Sequence, residues 1–93
     1  MDLLEQLLDN SYSGTVELLV NNKVITLQKY STLPINDKIY FLLLPLEQIE
    51  GMDENELIIL YITRSDFTLK MVSEKEEFKL IFNHYEKLIN RDN

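Results

Sequence analysis

Few groups in this sequence could do chemistry. There is one histidine, His84, and no cysteine, so a thiolate nucleophile, a disulfide and a zinc site are excluded together. To serve as a general base His84 would need an orienting acid, and Glu77, two helical turns earlier, is the one at a suitable spacing. A border position on an amphipathic helix accounts for His84 more simply. No serine lies in a G-x-S-x-G elbow, and the only glycines, Gly14 and Gly51, cannot build a loop that cradles phosphate or a dinucleotide. The sequence therefore reads as a non-enzyme with no cofactor.

Carboxylates are the abundant functional group: 16 acidic residues face 9 basic ones, for a net charge of −7. They fall in two places. Asp2, Glu5 and Asp9 form a row along one short segment, and Glu47, Glu50, Asp53, Glu54 and Glu56 crowd a second. A Ca²⁺ loop needs a turn glycine that Asp53-Glu54-Asn55-Glu56-Leu57 lacks, so no metal is expected and a solvated charge run is the plainer reading. On a helix rising ~1.5 Å per residue the first row is spaced much like the phosphates of a nucleic-acid strand. That spacing supports one alternative function, an acidic inhibitor of the phage-encoded anti-defence kind that mimics nucleic acid and blocks a basic cleft. Acids in a first helical turn also stabilise it without any such role.

Lys23, Lys29 and Lys38 are the only local basic excess, and no aromatic residues interleave with them. Direct nucleic-acid binding is not expected. The acidic balance likewise disfavours anionic membranes, and the longest apolar run, Ile39 to Leu44, falls far short of the ~20 residues that span a bilayer. The acidic start Met1-Asp2-Leu3-Leu4-Glu5 does not resemble an export signal, so a cytoplasmic location is expected.

The elements that would position these groups follow from periodicity. Residues 2–9 read as a short helix whose Leu3, Leu4, Leu7 and Leu8 share one face and must dock, on this domain or on a partner. Thr15–Val20 and Lys23–Tyr30 alternate around Asn21-Asn22, which suits a two-residue hairpin turn; the implied register pairs Val20 with Lys23, Leu18 with Ile25 and Val16 with Leu27. The outer face of that hairpin holds one apolar pair, Leu19 opposite Val24. Pro34, Asn36 and Asp37 read as the next turn.

Lys38–Leu44 and Glu56–Thr63 are apolar on both parities and so call for cover on two faces. Phe67–Val72 reads as a half-buried last strand. Ser73 and Glu76 fit a capping box ahead of a helix running from about Glu74 to Asn90, with Phe78, Ile81, Phe82, Tyr85, Leu88 and Ile89 as its apolar stripe.

At 93 residues and 45% apolar composition the chain suits one core, and residues 1–93 read as a single α+β domain. The expected architecture is a five-stranded antiparallel meander with a short N-terminal helix and a long C-terminal helix packed on one face. A face left uncovered would mark a partner surface, and a homodimer is one way to cover it.

From Lys38-Ile39-Tyr40 onward, the apolar strand ending at Pro45, the acidic loop, Glu56-Leu57-Ile58-Ile59, Leu69-Lys70-Met71-Val72 and Glu74-Lys75-Glu76-Glu77-Phe78 resemble the YrzB-like family of small acidic bacterial proteins. The resemblance runs from about Val16 to Ile89 and leaves out the first helix. It implies a bacterial, cytoplasmic, non-enzymatic protein of unassigned role, and it carries over no functional residue. The expectation is a protein–protein interaction or regulatory module whose partner is itself or another protein. The candidate partner-binding residues are Asp2, Leu3, Leu4, Glu5, Leu7, Leu8 and Asp9 with Glu47, Glu50, Asp53, Glu54 and Glu56.

Overall fold

The computed structural model describes residues 3–9, 14–53 and 56–89. Helix α1 (Leu3–Leu8) precedes strands β1 (Thr15–Val20), β2 (Lys23–Ile35), β3 (Lys38–Pro45), β4 (Ile58–Thr63) and β5 (Lys70–Met71), and helix α2 (Lys75–Ile89) closes the chain. The strands form one antiparallel sheet in the order β1-β2-β3-β4-β5, the meander expected from the sequence. Asp2, Glu54 and the end of the last helix at Asn90 lie outside the described residues.

The first hairpin has the register its turn dictates. Asn21 and Asn22 take φ of 52° and 63°, the left-handed conformation that matches a two-residue turn to strand twist. Val20 then pairs with Lys23, Leu18 with Ile25 and Val16 with Leu27.

Strand β2 continues beyond Tyr30, where the sequence suggested it would stop, and Pro34 lies inside it opposite Ile39. Only Asn36 and Asp37 turn the chain, with Asn36 at φ 56°. Proline is tolerated because β1 ends at the Thr15–Gln28 pair, so this part of β2 has, among the described residues, a neighbour on one side only.

A bulge at Tyr30 organises the core. Lys29 faces Leu43 and Ser31 faces Leu42, so two residues of β2 separate consecutive residues of β3 and the side-chain parity reverses. Ile25 and Leu27 therefore point to one side of the sheet, whereas Leu33 and Ile35, of the same numerical parity, point to the other.

Each side carries its own cluster. On one, Val16, Ile25, Leu27, Phe41, Leu43, Ile58, Leu60 and Ile62 pack beneath Leu7 of α1 and Ile49 of the acidic loop, with Leu3, Leu4 and Met52 against them. On the other, Leu33, Ile35, Tyr40, Leu42, Ile59 and Val72 pack beneath Ile81 of α2, flanked by Phe78 and Tyr85. The first side is the α1 face of the sheet and the second its α2 face. The apolar residues of β3 and β4 on both parities are satisfied in this way, and α1 helps close the side the long helix cannot reach.

Strand β5 is shorter than the expected Phe67–Val72. Asp66 accepts a hydrogen bond from the Thr68 N–H through Oδ1 at 2.9 Å, a local side-chain turn that competes with the ladder. The ladder resumes only at Lys70, where Lys70 and Met71 pair with Tyr61 and Leu60. Phe67 and Met71 are exposed while Val72 is buried.

Candidate functional site

The polar residues singled out by the sequence are largely engaged within the fold. Glu77, on the first turn of α2, accepts a hydrogen bond from the Tyr40 hydroxyl at 2.6 Å and from Lys38 Nζ at 3.0 Å through the same Oε2. Partial burial alone would raise its carboxyl, but the two hydrogen bonds and the lysine charge outweigh this and hold it below the usual range. The Tyr40 hydroxyl is pushed up by burial and then by its bond to Glu77. Lys38 is raised by its bond to Glu77 against the opposing effect of burial, and its ammonium lies 4.6 Å from the centre of the Tyr61 ring. This group ties the start of α2 to β3. Glu77 thus has partners other than His84, which sits half-buried on α2.

The other two lysines are also engaged. Lys29 Nζ donates to the carbonyl oxygens of Gln6 at 3.2 Å and Asp9 at 2.8 Å, placing a cation at the C-terminal end of α1 where carbonyls lack helical partners. Burial lowers its pKa, and Asp9 only partly opposes that shift. Lys23 lies 3.8 Å from Glu47.

The candidate partner-binding residues divide by environment. Leu7 is fully buried in its own domain, Leu3 and Leu4 are half-buried against the same cluster, and Leu8 is 40% exposed. Glu5 is exposed and Asp9 half-buried. In the loop, Ile49 is buried and acts as the anchor. Gln48 Nε2 donates to the Met52 carbonyl at 2.9 Å, and Glu56 Oε2 accepts the Asp53 N–H at 3.1 Å. Gly51 at φ 87° makes the reversal, a conformation costly for any residue with a Cβ. Glu47, Glu50, Asp53 and Glu56 remain exposed. Among the described residues no group of three or more His, Asp or Glu is arranged to hold a metal ion, and no helix is long and apolar enough to cross a membrane.

What sequence reasoning missed is that α2 covers only part of its face. The register carries the α2 face upward from Leu42 to Leu44, which lies opposite Gln28. Beyond it the Leu46 N–H bonds the Thr26 carbonyl at 3.0 Å, and the Leu19–Val24 pair follows at the hairpin tip. Leu19 is 66% exposed, Val24 56% and Leu46 55%.

One flank of α2 borders this open sheet. Phe78 and Phe82 stack at 6.5 Å and line a groove with Leu57 and Glu56. Phe82 is 40% and Ile89 59% exposed, and their seven-residue spacing puts both on that flank. The sequence did hold a signal: Leu19 opposite Val24 was the one apolar pair on the hairpin's outer side. The stripe on α2 is broader than the strip of sheet it can bury.

None of the curated proteins and none of the solved structures compared with the chain matches it. One family does match, over residues 21–90. The match begins at the hairpin turn, so α1 and β1 precede it, and it takes in β2 to β5 and α2. With most of its length matched, the chain belongs to the family described as protein of unknown function (DUF1292).

Proposed function

We propose that this domain is a non-catalytic protein–protein interaction or regulatory module of the bacterial cytoplasm, and that it binds through the open half of the α2 face. The YrzB-like resemblance supports the setting. The observation that carries the reading is the row of large exposed apolar side chains from Leu19 through Leu46 to Phe82 and Ile89. Exposed apolar surface gathered in one place is the usual mark of a binding face.

A photo-crosslinking residue at position 46, compared with one at the exposed position 83 of α2, tests this in cells that express the protein. Adducts from 46 and not from 83 are expected. Equal capture at the two positions would remove the proposal.

The reading as an acidic inhibitor of a basic nucleic-acid-binding cleft has one observation in its favour. Helix α1 and the acidic loop pack on the same cluster, so the exposed Glu5, Glu50 and Asp53 belong to segments on one side of the domain. Neutralising these three together should abolish binding to a basic target protein, and unchanged binding would dispose of this alternative.

A further inference from the structure

Strand β1 lies at one edge of the sheet, and among the described residues its neighbour there is β2 alone. The hydrogen bonds of β2 show which residues of β1 face outward. Opposite Glu17, Thr26 donates its N–H to Glu47 Oε1 at 3.4 Å and its carbonyl accepts the Leu46 N–H at 3.0 Å, so both of its backbone groups turn away from β1. Glu17–Thr26 is therefore a pair that exchanges no hydrogen bonds across the antiparallel ladder. The Lys29 N–H, by contrast, bonds the Gly14 carbonyl at 3.3 Å, as alternation along the ladder requires. The N–H and C=O of Glu17, and two residues on those of Leu19, point out of the open edge.

The other free edges of this sheet are guarded. The stretch of β2 that β1 leaves unpaired is interrupted by the bulge at Tyr30 and by Pro34. Strand β5 is two residues long and contains the exposed Lys70. Bulges, proline, lysine and short length are the devices that keep foreign strands from adding to a sheet. Strand β1 has six residues and none of these devices; apart from Glu17 it consists of Thr, Val and Leu. Outward backbone groups at every second residue specify what fits them, an extended strand.

We propose that this strand is β1 of a second copy, paired antiparallel across a two-fold axis so that the two sheets become one. Outward-pointing residues must meet one another and side chains must keep their face, which leaves registers centred on Glu17, Leu18 or Leu19. Centring on Glu17 sets two carboxylates directly opposite each other, a destabilising pair. Centring on Leu19 slides the overlap into the Asn21-Asn22 turn. Centring on Leu18 puts each Glu17 opposite Leu19 of the other copy, with about four backbone hydrogen bonds between them. It also joins Val16, Leu18 and Val20 of the two strands into one apolar strip on the α1 face, where Leu18 and Val20 are half-buried in the single chain. The contact is isologous. It is made by the sheet's edge, so it does not depend on the open α2 face being a binding surface.

Sedimentation velocity on the full chain over a wide concentration range, together with cysteine cross-linking, tests it. The wild type should approach a dimer of the 11.0 kDa chain as concentration rises. Glu17→Pro should stay monomeric with an unchanged circular dichroism spectrum, because the lost N–H is one that β2 does not use. In this chain without native cysteine, Leu18→Cys should cross-link to itself under mild oxidation several-fold faster than Val20→Cys. Residue 18 alone faces its own copy, with Cα atoms about 4.5 Å apart, inside the disulfide range of about 4.4–6.8 Å. A wild type that stays monomeric at every concentration overturns the inference. So does a Leu18→Cys variant that cross-links no faster than Val20→Cys, however Glu17→Pro behaves. A photo-crosslinker at position 18 that yields in cells an adduct other than the doubled chain would assign the edge to a strand of a different protein and refute the second copy.

Discussion

Replacing Leu7 by alanine tests whether α1 belongs to this domain's core. The side chain is fully buried among Ile49, Phe41, Leu43 and the other residues of the α1-face cluster. Truncation removes its buried methyl groups and leaves a cavity that a single short helix can only partly close, a cost of about 2–5 kcal/mol for a buried leucine. A chain of this length has roughly 5–14 kcal/mol of stability in all. With a urea slope near 1–1.5 kcal/mol per molar, typical of small domains, a loss of about 3 kcal/mol lowers the unfolding midpoint by about 2–3 M. Leu8, next in sequence and 40% exposed, is the internal control, and its alanine variant should lose under about 1 kcal/mol. The assay is equilibrium urea unfolding followed by circular dichroism. If Leu7→Ala shifts the midpoint no more than Leu8→Ala does, α1 is not a part of the core, and its leucines are free for a partner after all.

Three further outcomes follow from the same geometry. Deleting Tyr30 would restore straight parity and drive Leu33 and Ile35 to the wrong side of the sheet, so the deletion should abolish cooperative unfolding, whereas Tyr30→Ser at this half-exposed site should leave a folded domain. Because Glu77 is held below its ordinary 4.5, the unfolded chain binds its proton more readily than the folded one. Its contribution is therefore complete above 4.5 and is lost as pH falls through the lower folded value. Glu77→Gln should flatten that acid limb of the stability–pH profile and cost about 1–3 kcal/mol at neutral pH. Lys29→Met should cost about 1–2 kcal/mol by leaving the Gln6 and Asp9 carbonyls without their donor, and the protection of α1 amides in hydrogen exchange should fall with it.

Much of the fold was legible because local and global signals agreed. Asn21-Asn22 has the turn chemistry its flanking strands require, and the alternation of Val16, Leu18, Ile25 and Leu27 fixes the same register independently. The double apolar parity of β3 and β4 announced two covered faces before either cover was identified. The boundaries that slipped did so for non-local reasons. Pro34 reads as a strand breaker unless β1 is known to end at Thr15, and a bulge at Tyr30 leaves no mark in a pattern whose Leu33 and Ile35 keep the parity of Ile25 and Leu27. Asp66 shortens the last strand through a single side-chain hydrogen bond that competes with the ladder.

The site was less legible. Leu3, Leu4, Leu7 and Leu8 form an amphipathic face whether they dock on their own chain or another, so sequence alone left that choice open, and Leu7 is buried at home. The stripe from Phe78 to Ile89 says that one side of α2 is apolar but not how wide a sheet it meets. The open surface comes from the mismatch between the two, which exists only after folding. The acidic residues of the loop could be read as a group, yet the bond from the Asp53 N–H to Glu56 could not.

The claim that the open α2 face is covered in the cell can be measured directly, because the chain has no native cysteine and single-cysteine variants are unambiguous. Maleimide labelling of Leu46→Cys and Leu19→Cys is compared with that of Asn83→Cys, in intact cells and in dilute purified protein. If the face is covered, labelling at 46 and 19 is several-fold slower in cells than in dilute solution, with position 83 unchanged. Equal rates at all three positions under both conditions would contradict it.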